Sequence, residues 1–406
     1  MQSFQPLAGK KIALGFTGGI ACYKGVELLR KLKKLGAYVI PLMTSDAKKF
    51  IGSMTVSALA DEPVVDYLFS PSDPIAHTRI GRSIDALVVA PATANIISSF
   101  ATARSDNPVS LAFISTNAPV IICPSMHNEM WQNPIVRANV EKLIQNDVIV
   151  VAPQEGELAG GDFGAGRLAD LDLITEIVER TIRSKKSIFK DKKVIVTAGG
   201  TREPIDPVRF LTNRSSGKQG HYLAKEAWAL GADVTLITSS KLDYPKSVNR
   251  IQVETADELL NAVLKELPNA HCLFMSAAVS DFKPDHYSPV KIKRANNLNS
   301  IQLVKTPDIL SEAIKRKAAN QVIVGFAAET NEALLNAEKK FKEKQLDVMV
   351  VNDVSQENVG FDHETNAVEI ISNELGHKSI ELRSKAEVAS IILEYVGEIL
   401  ALRGVP

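Results

Sequence analysis

KIALGFTGGIACYKGVELLRKLKKLGAYVIPLMT, residues 11 to 44, reads as a strand, a glycine turn, an amphipathic helix and a second strand. The run IALGF is short and β-rich, GG breaks it, and the leucines and lysines that follow recur at helical spacing. The alternation continues through IDALVVAPATAN (84–95), PVIICPSM (119–126) and VIVVAP (148–153). Strands alternating with helices argue a parallel α/β sheet.

A lysine-rich connector, RSKKSIFKDKK at 183–193, precedes a second half that repeats the plan. Its β-rich runs are VIVTAGG, DVTLIT, AHCLFMSAAVSD, QVIVGFAAET, DVMVVND and AVEIIS, closed by the helical KAEVASIILEYVGEILALR. The expectation is two Rossmann-like doubly wound domains, residues 1–188 and 189–406. Ligands in such sheets bind beyond the carboxyl ends of the strands. There the chain carries Thr17, Thr44, the PATAN turn after Ala90, Ser276 to Asp281, and Asn352 with Asp353.

With 406 residues and 45% hydrophobic content the chain can bury substantial cores. Lys plus Arg equals Asp plus Glu at 47 each, so no whole-chain field draws nucleic acid or an anionic membrane, and a small-molecule partner is expected. No window reaches the ~18 apolar residues of a membrane span, which points to a cytoplasmic protein. Cys22, Cys123 and Cys272 are too scattered for a disulfide framework or a zinc site.

The glycine loops are weak signals by themselves. TGGIA (17–21) sits where a phosphate turn would sit but lacks GxGxxG, so a tight strand-to-helix turn explains it equally well. SSGKQG (215–220) is not a P-loop: Thr212 replaces the first glycine and Gln219 the final hydroxyl residue. GGDFGAGR (160–167) has the reversed spacing GxxGxG and reads as a surface flap.

TGGIACYK, the His of PIAHTRIG, APATANII and PSMHNEMW occur in this order. Together they resemble the flavin-dependent phosphopantothenoylcysteine decarboxylases of coenzyme A synthesis, over about the first 185 residues. The resemblance implies FMN as the redox cofactor, with Gly18, Gly19, Thr44, Ala92 and Thr93 at flavin-binding positions and His77 as the active-site histidine. Taken alone, His77 is an ordinary loop histidine. Two departures stand out. His127 occupies a position where the family usually has asparagine against the substrate carboxylate, and Gly160 occupies the flap position where bacterial relatives have a cysteine that helps complete the final reduction.

TAGGTREPIDPVRFLTNRSSGKQG (197–220), followed by SAAVSDF, VKIKR, KTPDIL, GFAAET and VNDV, resembles phosphopantothenate-cysteine ligase. The resemblance implies CTP as co-substrate, an acyl-cytidylate intermediate, Lys291 stabilising phosphate charge and Asn213 contacting the acyl group. It places Ser276, Ala277, Asp281, Lys291, Pro307, Asp308, Phe326, Lys340 and Lys344 in the nucleotide pocket, with Asp281 acting through Mg2+. Read without it, Lys340 and Lys344 are a solvated helix face, Lys291 is an edge-strand lysine and Asp281 a turn former.

The combined expectation is a bifunctional coenzyme A pathway enzyme. It ligates cysteine to 4'-phosphopantothenate with CTP, then decarboxylates the product to 4'-phosphopantetheine. The resemblance further implies a homo-oligomer, with fused chains forming dodecamers. An alternative keeps the ligase and makes the N-terminal half a flavin-binding assembly module that is inactive or stalls at the enethiol.

Overall fold

The computed structural model describes residues 4–71, 73–158, 160–293, 300–329, 333–353 and 363–405. The chain divides into two compact units, one of Gln5–Arg183 and one running from Ser184 onward.

In the first unit, five parallel strands lie in the spatial order Tyr38–Met43, Lys11–Phe16, Ala86–Ala92, Val120–Pro124, Ile149–Val150. This is the flavodoxin-like doubly wound order, whose direction reverses between the strands Lys11–Phe16 and Ala86–Ala92. Helices cover both faces, so the central strands have no solvent side, and ALVVAPA is buried at every position. The helix Cys22–Lys34 buries Leu28, Leu29 and Leu32 and carries Lys31, Lys33 and Lys34 in its last turn, where cations suit the helix dipole. The expected strand VIVVAP pairs only at Ile149–Val150.

The second unit has an eight-stranded sheet. Six strands are parallel, in the spatial order Asn249–Gln252, Asp233–Thr238, Lys193–Ala198, Cys272–Met275, Val322–Glu329, Val348–Asp353. Numbered along the chain this is 3-2-1-4-5-6, the dinucleotide-fold order, with its reversal between Lys193–Ala198 and Cys272–Met275. Thr365–Ser372 and Gly376–Ser384 extend it as an antiparallel hairpin. The doubly wound α/β expectation is met in both units.

Three features go beyond the sequence reading. Asn249–Gln252 is a short edge strand, Gly376–Ser384 is a largely exposed one, and neither has the apolar run used to find the others. The GGDFGAGR flap belongs to an antiparallel hairpin, Gln154–Glu157 with Phe163–Arg167. Among the described residues no helix is long and apolar enough to cross a membrane.

Candidate functional sites

In the first unit the expected cofactor residues gather at the topological reversal. Thr17, buried after the first strand, donates its hydroxyl to the Pro91 carbonyl at 2.7 Å and accepts from the Thr93 amide at 3.1 Å. The turn carrying Gly18 and Gly19 is thereby tied to the turn carrying Ala92 and Thr93. The Thr44 amide donates to the Phe16 carbonyl at 3.1 Å, which adds the end of the neighbouring strand. A Cβ on Gly18 would overlap Asp46, so this turn admits no side chain there. The result is a cluster of small residues and turn backbone beyond the strand ends, the form a phosphate or flat ring approaches most closely.

His77 lies in the helix Ala76–Ser83 with its ring edge-on to Phe69, centroids 6.4 Å apart. Its Nδ1 is buried and has no hydrogen-bond partner. A buried ring nitrogen left unpaired is costly in a finished fold.

His127 precedes the short helix Asn128–Gln132 and is exposed. The flap hairpin docks on this segment: the Met126 amide donates to the Gly166 carbonyl at 3.0 Å and the Ala165 amide to Asn128 Oδ1 at 3.2 Å. The approach requires glycine, because a Cβ on Gly166 would overlap the Met126 carbonyl and one on Gly164 would lie 2.8 Å from Asn128 Cβ. A Cβ on Gly160 would point at the His127 ring, 3.0 Å from Cε1. All three cysteines are buried. Burial raises each thiol pKa, and the Cys22 thiol also donates to the Thr17 carbonyl at 2.9 Å.

In the second unit a cavity of about 720 Å³ opens at the carboxyl ends of the parallel strands. Asn213, Ser276, Ala277, Asp281, Pro307, Asp308, Phe326 and Lys344 all line it. Lys291 and Lys340, both exposed, are not among its lining residues. Next to Lys291, the Ile292 amide donates to Asp206 Oδ2 at 3.1 Å and its carbonyl accepts from Arg209 at 2.8 Å. Asp206 is itself buried, and the Arg209 guanidinium holds its carboxyl far below the usual carboxylate range.

Hydroxyls brace the cavity floor. Thr197 Oγ1 accepts from the Ala277 amide and Thr201 Oγ1 from the Ser280 amide, each at 3.0 Å. Asn213 Nδ2 donates to the Val279 carbonyl at 2.9 Å, joining the loops that follow the two strands flanking the reversal. Asp308 caps the helix Ile309–Arg316 through the Ser311 amide at 3.1 Å and accepts both bonds of a Lys344 pair at 3.1 and 2.9 Å. Burial opposes its ionisation, but the Lys344 ammonium and Ser311 hold the Asp308 carboxyl below its ordinary value.

The sequence reading rejected the SSGKQG turn as a P-loop and assigned it no site residue, although it belongs to the 197–220 motif. It lines the cavity all the same, where it opens the helix Lys218–Ala229 at Gly217, whose φ is 80° and which makes no side-chain cap. The signal available was its place after the first strand of a doubly wound sheet, where the first amides of a helix face the ligand crevice.

Family models match the two halves of the chain separately. The Flavoprotein family model matches residues 2–183, and the DNA/pantothenate metabolism flavoprotein C-terminal domain matches residues 189–400. The coenzyme A biosynthesis bifunctional protein CoaBC of Vibrio vulnificus strain CMCP6 is 38% identical over 97% of this chain and 98% of its own length. The chain belongs to the CoaBC family. The CoaBC protein of Mycolicibacterium smegmatis is likewise 38% identical, over 97% of this chain and 98% of its own length. A crystal structure of a CoaBC C-terminal domain covers 53% of this chain and 99% of that one, at 34% identity and a TM-score of 0.46. The expected bifunctional coenzyme A enzyme, a flavoprotein decarboxylase half followed by a ligase half, is thereby met.

Proposed function

We propose that the second unit of this CoaBC protein joins cysteine to 4'-phosphopantothenate at the expense of CTP. The observation that carries this reading is the cavity at the sheet reversal, which gathers eight of the expected ligase residues in one place. A carboxylate is a poor electrophile and must first be converted to an acyl-cytidylate. That step needs cationic and N–H groups around the triphosphate and a donor toward the acyl oxygen. The start of the helix Lys218–Ala229 supplies amides for phosphate, Lys344 adds charge, and Asn213 holds the acyl group. Asp281 would hold Mg2+, which would supply positive charge to the triphosphate, and Lys291 acts on the phosphates from the segment tethered to Asp206.

For the first unit we propose FMN-dependent decarboxylation of the ligation product to 4'-phosphopantetheine. The residues present fit the cofactor. Gly18, Gly19, Thr44, Ala92 and Thr93 would hold it beside a turn whose Gly18 packs too closely on Asp46 to carry a side chain, and the unpaired Nδ1 of His77 awaits a partner. Bound FMN supplies two-electron redox chemistry. His77 moves the proton at the reacting carbon or sulfur, His127 hydrogen-bonds the departing carboxylate, and the flap hairpin excludes water above it.

The alternative, ligation followed by a stall at the enethiol, is favoured by one observation: position 160 is glycine and the three thiols are buried. Mass spectrometry of products from 4'-phosphopantothenate, cysteine, CTP and Mg2+, with flavin absorbance followed in parallel, separates these readings. Accumulating 4'-phosphopantetheine supports both halves, a desaturated product with bleached flavin supports the stall, and unreacted 4'-phosphopantothenate rejects the ligase. The assembly is proposed to be a homo-oligomer, which light scattering tests.

A further inference from the structure

The strands Val348–Asp353 and Thr365–Ser372 turn one face toward the helices Lys218–Ala229 and Lys385–Leu402. Most of that face is apolar: Val348 and Val350 on one strand and Val368 and Ile370 on the other share a core with Leu223, Ile392 and Val396. Side chains on one face recur at every second residue, and Asn352 pairs with Val368 across the two strands. One step further toward the cavity, each row therefore ends in an asparagine, Asn352 on the first strand and Asn366 on the second.

Both asparagines leave Oδ1 buried without a hydrogen-bond partner, and so does Gln219 with Oε1 in the first turn of the helix Lys218–Ala229. Asn366 is only 3% exposed. All three residues line the cavity. Gln219 Nε2 donates to the Lys385 carbonyl at 3.3 Å, and Lys385, itself 3% exposed, lines the cavity at the start of the closing helix. The three orphaned amide oxygens thus belong to residues that line one cavity, next to a core otherwise closed by apolar contacts, and such atoms call for a partner.

An acceptor wall calls for a ligand rich in N–H donors. Phosphate and carboxylate carry none, whereas an ammonium carries three. Building on the ligase reading above, we propose that Gln219, Asn352 and Asn366 form the subsite for the α-ammonium group of the amino-acid substrate. The wall lies in the cavity that also holds Asn213 and Ser276, so the amine is delivered to the same chamber as the activated acyl group.

The test uses the full-length protein with Asn366→Leu and the near-isosteric Asn366→Asp, which keeps the acceptors. Pyrophosphate release from CTP and 4'-phosphopantothenate without cysteine reads the activation step, and the KM for cysteine reads the subsite. Asn366→Leu is expected to raise the cysteine KM by about tenfold or more, the size of one lost hydrogen bond to a charged donor, with activation unchanged; Asn366→Asp retains it. Gln219→Met, on the helix side of the wall, gives a second reading should the leucine variant not fold. An unmoved cysteine KM in the variants would mean that the wall holds only water. A rise in the CTP KM instead would mean that it reads the base. Either result overturns the proposal. Failure of the unaltered protein to release pyrophosphate would sink the ligase reading itself, a distinct outcome.

Discussion

Gly160 faces His127: a Cβ at 160 would stand 3.0 Å from the imidazole Cε1, with Asp162 Oδ2 3.4 Å away on the other side. The two positions that the sequence analysis set apart, 127 and 160, are thus one place in the folded unit. A side chain at 160 and a ring at 127 compete for the same space.

If the first unit stalls at the enethiol, Gly160→Cys should lower the ratio of desaturated to saturated product, because it brings a thiol beside the His127 ring. Gly160→Ser has nearly the same bulk without the thiol and should leave the ratio unchanged. Product mass spectrometry reads both, and equal ratios in all three proteins would remove position 160 from the reduction.

Gly166→Ala places a methyl group in the Met126 carbonyl and breaks the contact that docks the flap. Overpacking of this kind costs roughly 1–3 kcal/mol, relieved here by the hairpin lifting away. Decarboxylation should fall while CTP-dependent ligation in the other unit is kept, and paired assays of the two half-reactions check this. Loss of both together would indicate general misfolding.

The Asp308–Lys344 pair gives the second unit an acid-sensitive contact. The folded carboxyl pKa lies below its unfolded value of about 4, so its stabilisation is complete above that value and is lost as pH falls through the lower folded value. Both groups retain solvent contact, which keeps the effect below about 1 kcal/mol. Urea titrations between neutral and acid pH should show the Lys344→Met deficit shrinking as the solution is acidified. A deficit constant with pH would show that the loss is one of packing.

Burial raises all three thiol pKa values, so none of Cys22, Cys123 and Cys272 should react with a disulfide reagent at neutral pH in the native protein. Three equivalents should appear on denaturation. Rapid labelling of Cys22, the one beside the candidate flavin site, would show that the turn at Gly19 opens in solution and would readmit a thiol to the chemistry.

The local grammar is legible in the chain alone: strand, glycine turn and helix in each half, a lysine-rich connector between them, and the ordered motifs of a two-part coenzyme A enzyme. Those features are written in short-range periodicity and in contiguous residues, so they survive without coordinates. The tertiary structure decided which distant residues meet. It brought Lys344 to Asp308 and left Lys291 and Lys340 off the cavity wall, although Lys340 and Lys344 look alike on one helix in a linear reading. It turned a glycine-rich stretch into a hairpin seated on Met126 and Asn128. It also ended two apolar rows in Asn352 and Asn366, whose unpaired oxygens become visible only when a strand found by its valines is set beside one that runs the other way. Such meetings depend on strand order, register and backbone approach, which arise from the summed burial of a whole sheet and are encoded at no single position.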